Sequence, residues 1–255
     1  MDTLEGRRPT LLTIPLSHFC EKARWGLDRT QIAYTEHRHA PVFHLLPVRR
    51  AGGTHQTPLL ITRQGAVADS TAILLWANDH ACEGRTLYPD DPFARNAVLA
   101  LEDRFDRTFG PSVRTALYFY LLPFPDLIIP LWTYGVPSYE RMLSPLIYRP
   151  LRRFMRSSMS INATGAGKSV EQVMRTIDDI SNVLADGRKY LTGDGFGAAD
   201  ITFAALAAPV VWPPGYAVPL PELDELPVAA ATLIRHVRDT PAGAYVFRMY
   251  REERC

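Results

Sequence analysis

Pro15-Leu16-Ser17-His18-Phe19-Cys20-Glu21-Lys22-Ala23-Arg24 is the stretch whose reading decides the fold. On its N-terminal side Leu11, Leu12, Thr13 and Ile14 form a short apolar run closed by Pro15, which reads as a buried strand. On its C-terminal side Cys20, Ala23 and Leu27 recur at i, i+3 and i+7, with Phe19 on the same face, the pattern of an amphipathic helix of about three turns. Ser17 stands where strand becomes helix. The first amides of a helix lack partners and carry partial positive charge, so a serine there is either an N-cap or a group set beside an anion drawn to the helix end.

Working outward, Ala33 to His37 reads as a second strand, and strand, helix and strand in so short a span imply a right-handed crossover and a parallel pair. Pro41 to Gly53, with Pro47, Arg49, Arg50 and the Gly52-Gly53 break, reads as a short helix and loop. Thr57 to Ile61 and Ala66 to Ala68 flank Arg63-Gln64-Gly65, a β-hairpin signal. Asp69-Ser70 then offers an N-cap to Thr71–Asn78. The order βαβ, connector, ββα fills residues 9–82. From Phe93 strand signals disappear: Ala97, Leu101, Phe105 and Phe109 continue at helical steps, as do Ser169 to Asp186, Ile201 to Val211 and Ala229 to Arg238. Residues 93–250 therefore read as an all-α domain behind the linker Pro89-Asp90-Asp91-Pro92.

Composition narrows the class. With 47% apolar residues the chain can bury a substantial core, and a net charge of +1 gives no global pull toward nucleic acid or an anionic membrane surface. Cys20, Cys82 and Cys255 are too few and too scattered for a disulfide framework or a tetrahedral zinc site. The seven histidines have no ligand spacing, and no metal site is expected. The charged start MDTLEGRRPT lacks an apolar secretory core, so the cytoplasm is the expected address. Ala116 to Gly135 is long and apolar enough to suggest a membrane span, but Asp126, Pro123, Pro125 and Pro130 would break its hydrogen-bond ladder, and it reads instead as buried or pocket-lining. Gly165-Ala166-Gly167-Lys168-Ser169 ends like a phosphate-binding loop without the first glycine or a preceding strand, and reads as a flexible loop before a helix.

Three motifs in this order resemble the glutathione transferase superfamily in its bacterial form. The first is the turn around Ser17-His18-Phe19-Cys20, which occupies the place of a CxxC with serine for the first cysteine. The second is Gln56-Thr57-Pro58-Leu59-Leu60, where the family's proline bond is cis; the third is Ala68-Asp69-Ser70-Thr71-Ala72-Ile73. The resemblance covers Leu11 to Asn78 well and Phe196 to Ala207 more loosely, with Gly197 in place of the usual Ser/Thr cap so that Asp200 caps alone. It implies an α/β thioredoxin-like N-terminal domain and an all-α C-terminal domain. It further implies glutathione, or a similar small thiol, held by His18, Gln56, Thr57, Pro58, Asp69 and Ser70, with Ser17 donating a hydrogen bond to the thiolate. Thr57 would pair with the cysteinyl backbone, Ser70 with the γ-glutamyl carboxylate and Asp69 with its ammonium group.

Tyr118, Phe119, Tyr120, Trp132 and Tyr134 lie where the family lines its site for an apolar electrophile, although core packing would also account for each of them. A homodimer, a detoxifying transfer to a small electrophile, and no nucleic-acid partner are expected on the same ground. Two rivals stay open: Cys20 as the working thiol of a thiol–disulfide oxidoreductase, against Cys20 as a buried small hydrophobe, and a thiol-binding module without turnover.

Overall fold

Strand β1 (Thr10–Thr13) carries Leu11 and Leu12 into the core and sits inside a four-stranded sheet ordered β2-β1-β3-β4. In the computed structural model, which describes residues 8–192 and 195–254, β2 (Thr35–Arg38) runs parallel to β1 with Leu11 opposite Glu36. The strands β3 (Leu59–Thr62) and β4 (Gly65–Ala68) are antiparallel, Leu11 facing Leu60 and Leu60 facing Val67. The expected hairpin is present, and Gly65 takes a φ of +130° at its turn, a conformation that favours glycine. Helices α1 (His18–Arg29), α2 (Leu45–Arg50) and α3 (Ser70–Asp79) complete a thioredoxin-like domain. Met1 to Arg7, at the charged start, and Cys255 lie outside the described residues.

The rest is helical: α4 (Pro92–Arg104), a π turn (Phe105–Phe109), α5 (Gly110–Leu121), α6 (Pro125–Trp132), α7 (Ser138–Ser158), α8 (Ala163–Leu184), α9 (Ala198–Val211), α10 (Val228–Arg238) and α11 (Pro241–Glu252). Every residue of α9 is buried, because α1, α4, α5, α10 and α11 all pack around it. The π turn keeps α4 and α5 continuous and stacks Phe105 and Phe109 on Phe203 of α9, with ring centroids 5.3 and 5.5 Å apart. The apolar stretch that resembled a membrane span is broken at Leu122–Phe124 into α5 and α6, and no helix of the described residues is long and apolar enough to cross a membrane.

Two readings are corrected. The glycine-rich run from Gly165 to Ser169 is not a loop but the first turns of α8, capped by Asn162, whose Oδ1 accepts the Gly165 N–H at 2.9 Å. A Cβ at Gly165 would stand 2.2 Å from the Ser160 carbonyl, so the glycine is there for close approach. Helix α1 is not amphipathic in effect: His18 and Cys20 to Leu27 are all buried, because α3 covers one side and α9 another.

That burial is met by charge pairing. The Nζ of Lys22, fully buried, lies 3.1 Å from Glu102 Oε1 and 2.8 Å from Asp106 Oδ2, and donates to Thr71 Oγ1 at 2.6 Å. Glu102, equally buried, also accepts from the Tyr88 hydroxyl at 2.6 Å and from Thr202 at 2.8 Å. One network thus ties α1, the start of α3, α4, the π turn and α9 together, with Lys22 and Glu102 each met by more than one partner and Asp106 Oδ1 buried without one.

Gly197, which departs from the usual Ser/Thr cap, has a steric reason. A Cβ there would come within 2.7 Å of the Leu87 carbonyl, which itself accepts the Ala198 N–H at 2.9 Å. Asp200 takes over the capping through the Gly197 N–H at 2.8 Å and also accepts the Leu191 N–H at 2.7 Å, tying down the segment before α9. Gly197→Ser is therefore expected to destabilise the chain by about 1–3 kcal/mol through overpacking instead of improving the cap; a urea melt showing equal or greater stability would refute this.

Candidate functional site

Ser17 has an extended backbone (φ −69°, ψ 120°) and caps α1, its Oγ accepting the Cys20 N–H at 3.3 Å. It is partly exposed, and in accepting that bond the hydroxyl keeps its own proton to donate. Two elements brace the turn: the Ser17 N–H bonds the Ile14 carbonyl at 3.1 Å, and the Tyr216 hydroxyl donates to the Leu16 carbonyl at 2.8 Å from the loop after α9. Ser17 and Thr57 both lie against the Cys20 thiol, and the Thr57-Pro58 bond is cis as the resemblance implied. Gln56, next in line, is exposed.

At the start of α3, Asp69 Oδ1 accepts the Thr71 and Ala72 amides at 2.8 and 3.3 Å. The Asp69 backbone sits at φ +81°, ψ 141°, a conformation that costs a non-glycine residue of order 1–3 kcal/mol and that the two cap bonds help to hold. Ser70 is buried, and its Oγ has no hydrogen-bond partner. A buried hydroxyl left unpaired costs roughly 1–3 kcal/mol unless something fills its bonding capacity, so it stands ready for an acceptor at the positive end of α3.

The structure chooses between the two readings of Cys20 and moves several other expected residues away from the turn. Cys20, carried among the candidate catalytic residues, is a core residue: it is fully buried, its sulfur accepts the Ile14 N–H at 3.5 Å, and burial pushes its thiol above the ordinary value despite the neighbouring Arg24. A buried, protonated thiol is a poor nucleophile. His18, expected among the thiol-binding residues, turns inward to the helical domain, where its Nε2–H donates to the Gly110 carbonyl at 3.2 Å. Trp132, expected in the substrate pocket, is a core residue, with Tyr118 and Tyr148 edge-on or tilted against it at 6.0 Å. Consecutive helix positions diverge by roughly 100°, so α5 cannot aim Tyr118, Phe119 and Tyr120 at one place. Phe119 and Tyr120 pack on each other at 5.4 Å, while Tyr118 lies near enough to Cys20 for the two to act on each other electrostatically. Tyr134 is exposed, under the guanidinium of Arg38.

Arg114 and Tyr216 are the residues that sequence reasoning missed. Arg114, on α5 one turn before Tyr118, lies close enough to His18 and Tyr118 to act on both electrostatically, and its Nε is buried without a partner. The one available signal was a lone cation in an otherwise apolar helix. Tyr216 follows Pro213-Pro214-Gly215 and had no signal at all. It also lines a cavity of 440 Å³, together with Tyr134, Trp212, Leu220 and Arg238; Ser17, Thr57 and Ser70 do not border that space. No cluster of His, Cys, Asp and Glu among the described residues could hold a metal ion.

Burial, and then the charge of Arg114, hold the His18 imidazole down at about 3, so it is neutral in the folded chain near pH 7. Unfolding lets it bind a proton once the pH drops below about 6.5, so the stability it confers is present above that value and is lost as pH falls toward about 3. From pH 7 to about 5 the expected loss is roughly 2 kcal/mol. Guanidinium melts at the two pH values should show this loss, and His18→Asn should remove most of it; an equal loss in the variant would contradict the assignment.

A serine-capped strand-to-helix turn on a thioredoxin-like sheet, followed by an all-helical domain, is the frame in which the chain compares with known proteins. Residues 11–83 match the family model for the glutathione S-transferase N-terminal domain. No curated protein matches the sequence. Among solved structures, the chain is similar to the β-etherase LigF of Sphingobium sp. strain SYK-6, with 19% identity, 94% of this chain and 98% of that chain covered, and a TM-score of 0.60. A Methylobacterium radiotolerans glutathione S-transferase in complex with glutathione sulfonate is 17% identical, with 93% of each chain covered and a TM-score of 0.55. A theta-class enzyme of Xanthomonas axonopodis pv. citri with glutathione bound is 18% identical, with 93% and 95% covered and a TM-score of 0.52. Residues 11–83 thus match a glutathione S-transferase N-terminal domain, and the chain shares the fold of these solved structures over 93–94% of its length.

Proposed function

We propose that the protein is a glutathione transferase that binds glutathione, or a closely similar thiol, and directs its thiolate at a small apolar electrophile. The observation that carries this is Ser17: a partly exposed hydroxyl at the amide end of α1, braced by Ile14 and Tyr216 and still able to donate. A hydrogen bond to sulfur at that point favours the charged form, which is the nucleophile. Ser70 Oγ supplies the donor for the γ-glutamyl carboxylate, and the exposed Asp69 carboxylate the partner for its ammonium group. Thr57 and Pro58 hold the cysteinyl segment beside Ser17, with Gln56 next to it.

Tyr118 and the unspent donor of Arg114 face the electrophile in this reading. An arginine there suits a substrate whose leaving group or carbonyl gathers negative charge as the thiolate attacks. The proposal includes a homodimer and a cytoplasmic detoxifying role, both resting on the resemblance; light scattering reads the first.

Calorimetric titration with glutathione and a turnover screen over aryl halides, epoxides and aryl ethers test the whole. Binding is expected at millimolar thiol or below, weakened by Ser70→Ala. Arg114→Leu is expected to lower turnover about tenfold or more while leaving thiol affinity nearly unchanged. Silence toward glutathione and other cellular thiols would sink the proposal, and binding without turnover of any electrophile would reduce the protein to a thiol-binding module. Cys20→Ala should retain activity; its loss would restore the redox reading.

A further inference from the structure

Helix α7 turns Glu140, Ser144, Tyr148 and Met155 inward. Glu140 grips the connector after β2, with Oε1 2.7 Å from His39 Nδ1 and Oε2 accepting the Ala40 N–H at 2.7 Å, and the Tyr148 hydroxyl donates to the Leu122 carbonyl. The opposite face is apolar yet uncovered. Tyr139, Leu143, Leu146, Pro150 and Phe154 follow helical steps of four, three, four and four residues and so form one stripe, with Met142 beside it. Leu146 is 75% exposed, Met142 70% and Phe154 66%, values that a helix face in contact with water alone does not call for.

Alongside this stripe runs a second, made of Arg149, Arg153 and Arg156, with Arg141 and Arg152 at its flank. None of the five is in a salt bridge with a described residue. From Pro125 to Ser158 they are set against only Asp126 and the buried Glu140, so a chain with a net charge of +1 concentrates its positive charge here. The patch continues onto α2: Phe43 meets the Tyr139 ring at 6.2 Å, and Val42, Leu46, Arg49 and Arg50 beside it are exposed.

We infer that α7, with the adjoining surface of α2, is a docking surface for an anionic lipid bilayer: Leu146, Met142, Leu143 and Phe154 enter the headgroup–acyl boundary while the arginines meet lipid phosphates. Apolar and basic stripes side by side on one exposed helix suit a surface that is oily and negatively charged at once. The helix lies on such a surface and does not span it, and Tyr139 supplies an amphipathic ring for the boundary. A second copy of the chain fits poorly, because a two-fold contact through this face sets arginine against arginine with no exposed acid on the helix to pair with them. Nucleic acid would use the arginines but gives no partner to Leu146, Met142 and Phe154. The inference is independent of the proposed chemistry.

Flotation of the full chain with vesicles of phosphatidylcholine, alone or with roughly one-third phosphatidylglycerol, tests it. Binding is expected to the anionic vesicles at least about tenfold more tightly than to the neutral ones, and to fall steeply as salt rises to roughly 0.5 M. The exposed pair Met142→Glu and Leu146→Glu should abolish it, and Arg149→Gln with Arg153→Gln should remove the preference for anionic lipid, while circular-dichroism melts stay unchanged. Failure to float with anionic vesicles at low salt overturns the proposal, as does flotation indifferent to Leu146→Glu. A dimer in light scattering that Leu146→Glu converts to monomers would assign the face to a second copy.

Discussion

Lys22→Met is expected to lower the stability of the chain by about 3–5 kcal/mol, the cost of breaking a buried charge pair by removing one partner. Methionine fills the space of the lysine stem, so the loss is not a cavity effect. It arises because Glu102, fully buried, keeps its Tyr88 and Thr202 donors but loses the cation it is ion-paired with, and Asp106 loses the same one. Adding Glu102→Gln to Lys22→Met should return a large part of the loss, since the amide oxygen can accept from one of the Tyr88 and Thr202 hydroxyls while its NH2 donates to the other, with no charge to neutralise. Urea denaturation of both variants is the measurement. A loss below about 1 kcal/mol for Lys22→Met would mean that desolvation cancels the attraction within the network.

Ser17→Ala is expected to reduce turnover near pH 7 by roughly 10–100-fold, the rate equivalent of a charge-assisted hydrogen bond of about 1.5–3 kcal/mol. Glutathione affinity should fall much less, because the bond strengthens as the sulfur becomes anionic and the rest of the tripeptide is held elsewhere. Without the hydroxyl the bound thiol has a raised pKa. The deficit is therefore greatest below that pKa and shrinks as pH rises and the thiolate forms unaided. A role confined to capping α1 would instead cost about 0.5–2 kcal/mol of stability and leave the pH dependence of the rate untouched. Rate against pH, measured beside the melting temperature, separates the two, and a fully active variant with an unshifted profile would remove Ser17 from the mechanism.

The sheet and the three motifs were legible because their signals are local. A short apolar run ended by proline, Ser17 ahead of a helical period, Thr57-Pro58 before a strand, and Asp69-Ser70 before a helix each depend on backbone geometry within a few residues. The fate of Cys20 was not legible: a cysteine inside the first turn of a helix is consistent with reactivity and with burial alike, and the packing of α9 and α3 around α1 decided for burial. In the same way α7 gave no clean reading, because Pro145 and Pro150 interrupt its sequence although the helix runs through both positions.

The sequence by itself determined the βαβ-ββα order, the helical second half, and the caps at Ser17 and Asp69, since these follow from periodicity and from which residues satisfy helix ends. Tertiary structure alone decided the rest. Helix α1 is enclosed on several sides, so Lys22 and Arg24, which sequence would leave in water, became buried ion-pair partners of Glu102 and Glu36. The Leu87 carbonyl excluded a side chain at position 197, Tyr216 reached Leu16 from the far end of the chain, and Arg114 came to rest beside His18 and Tyr118. Each of these depends on elements distant in sequence meeting in space, where the cost of burying a charge or a polar atom is set by the neighbours that packing supplies and not by the residues beside it in the chain.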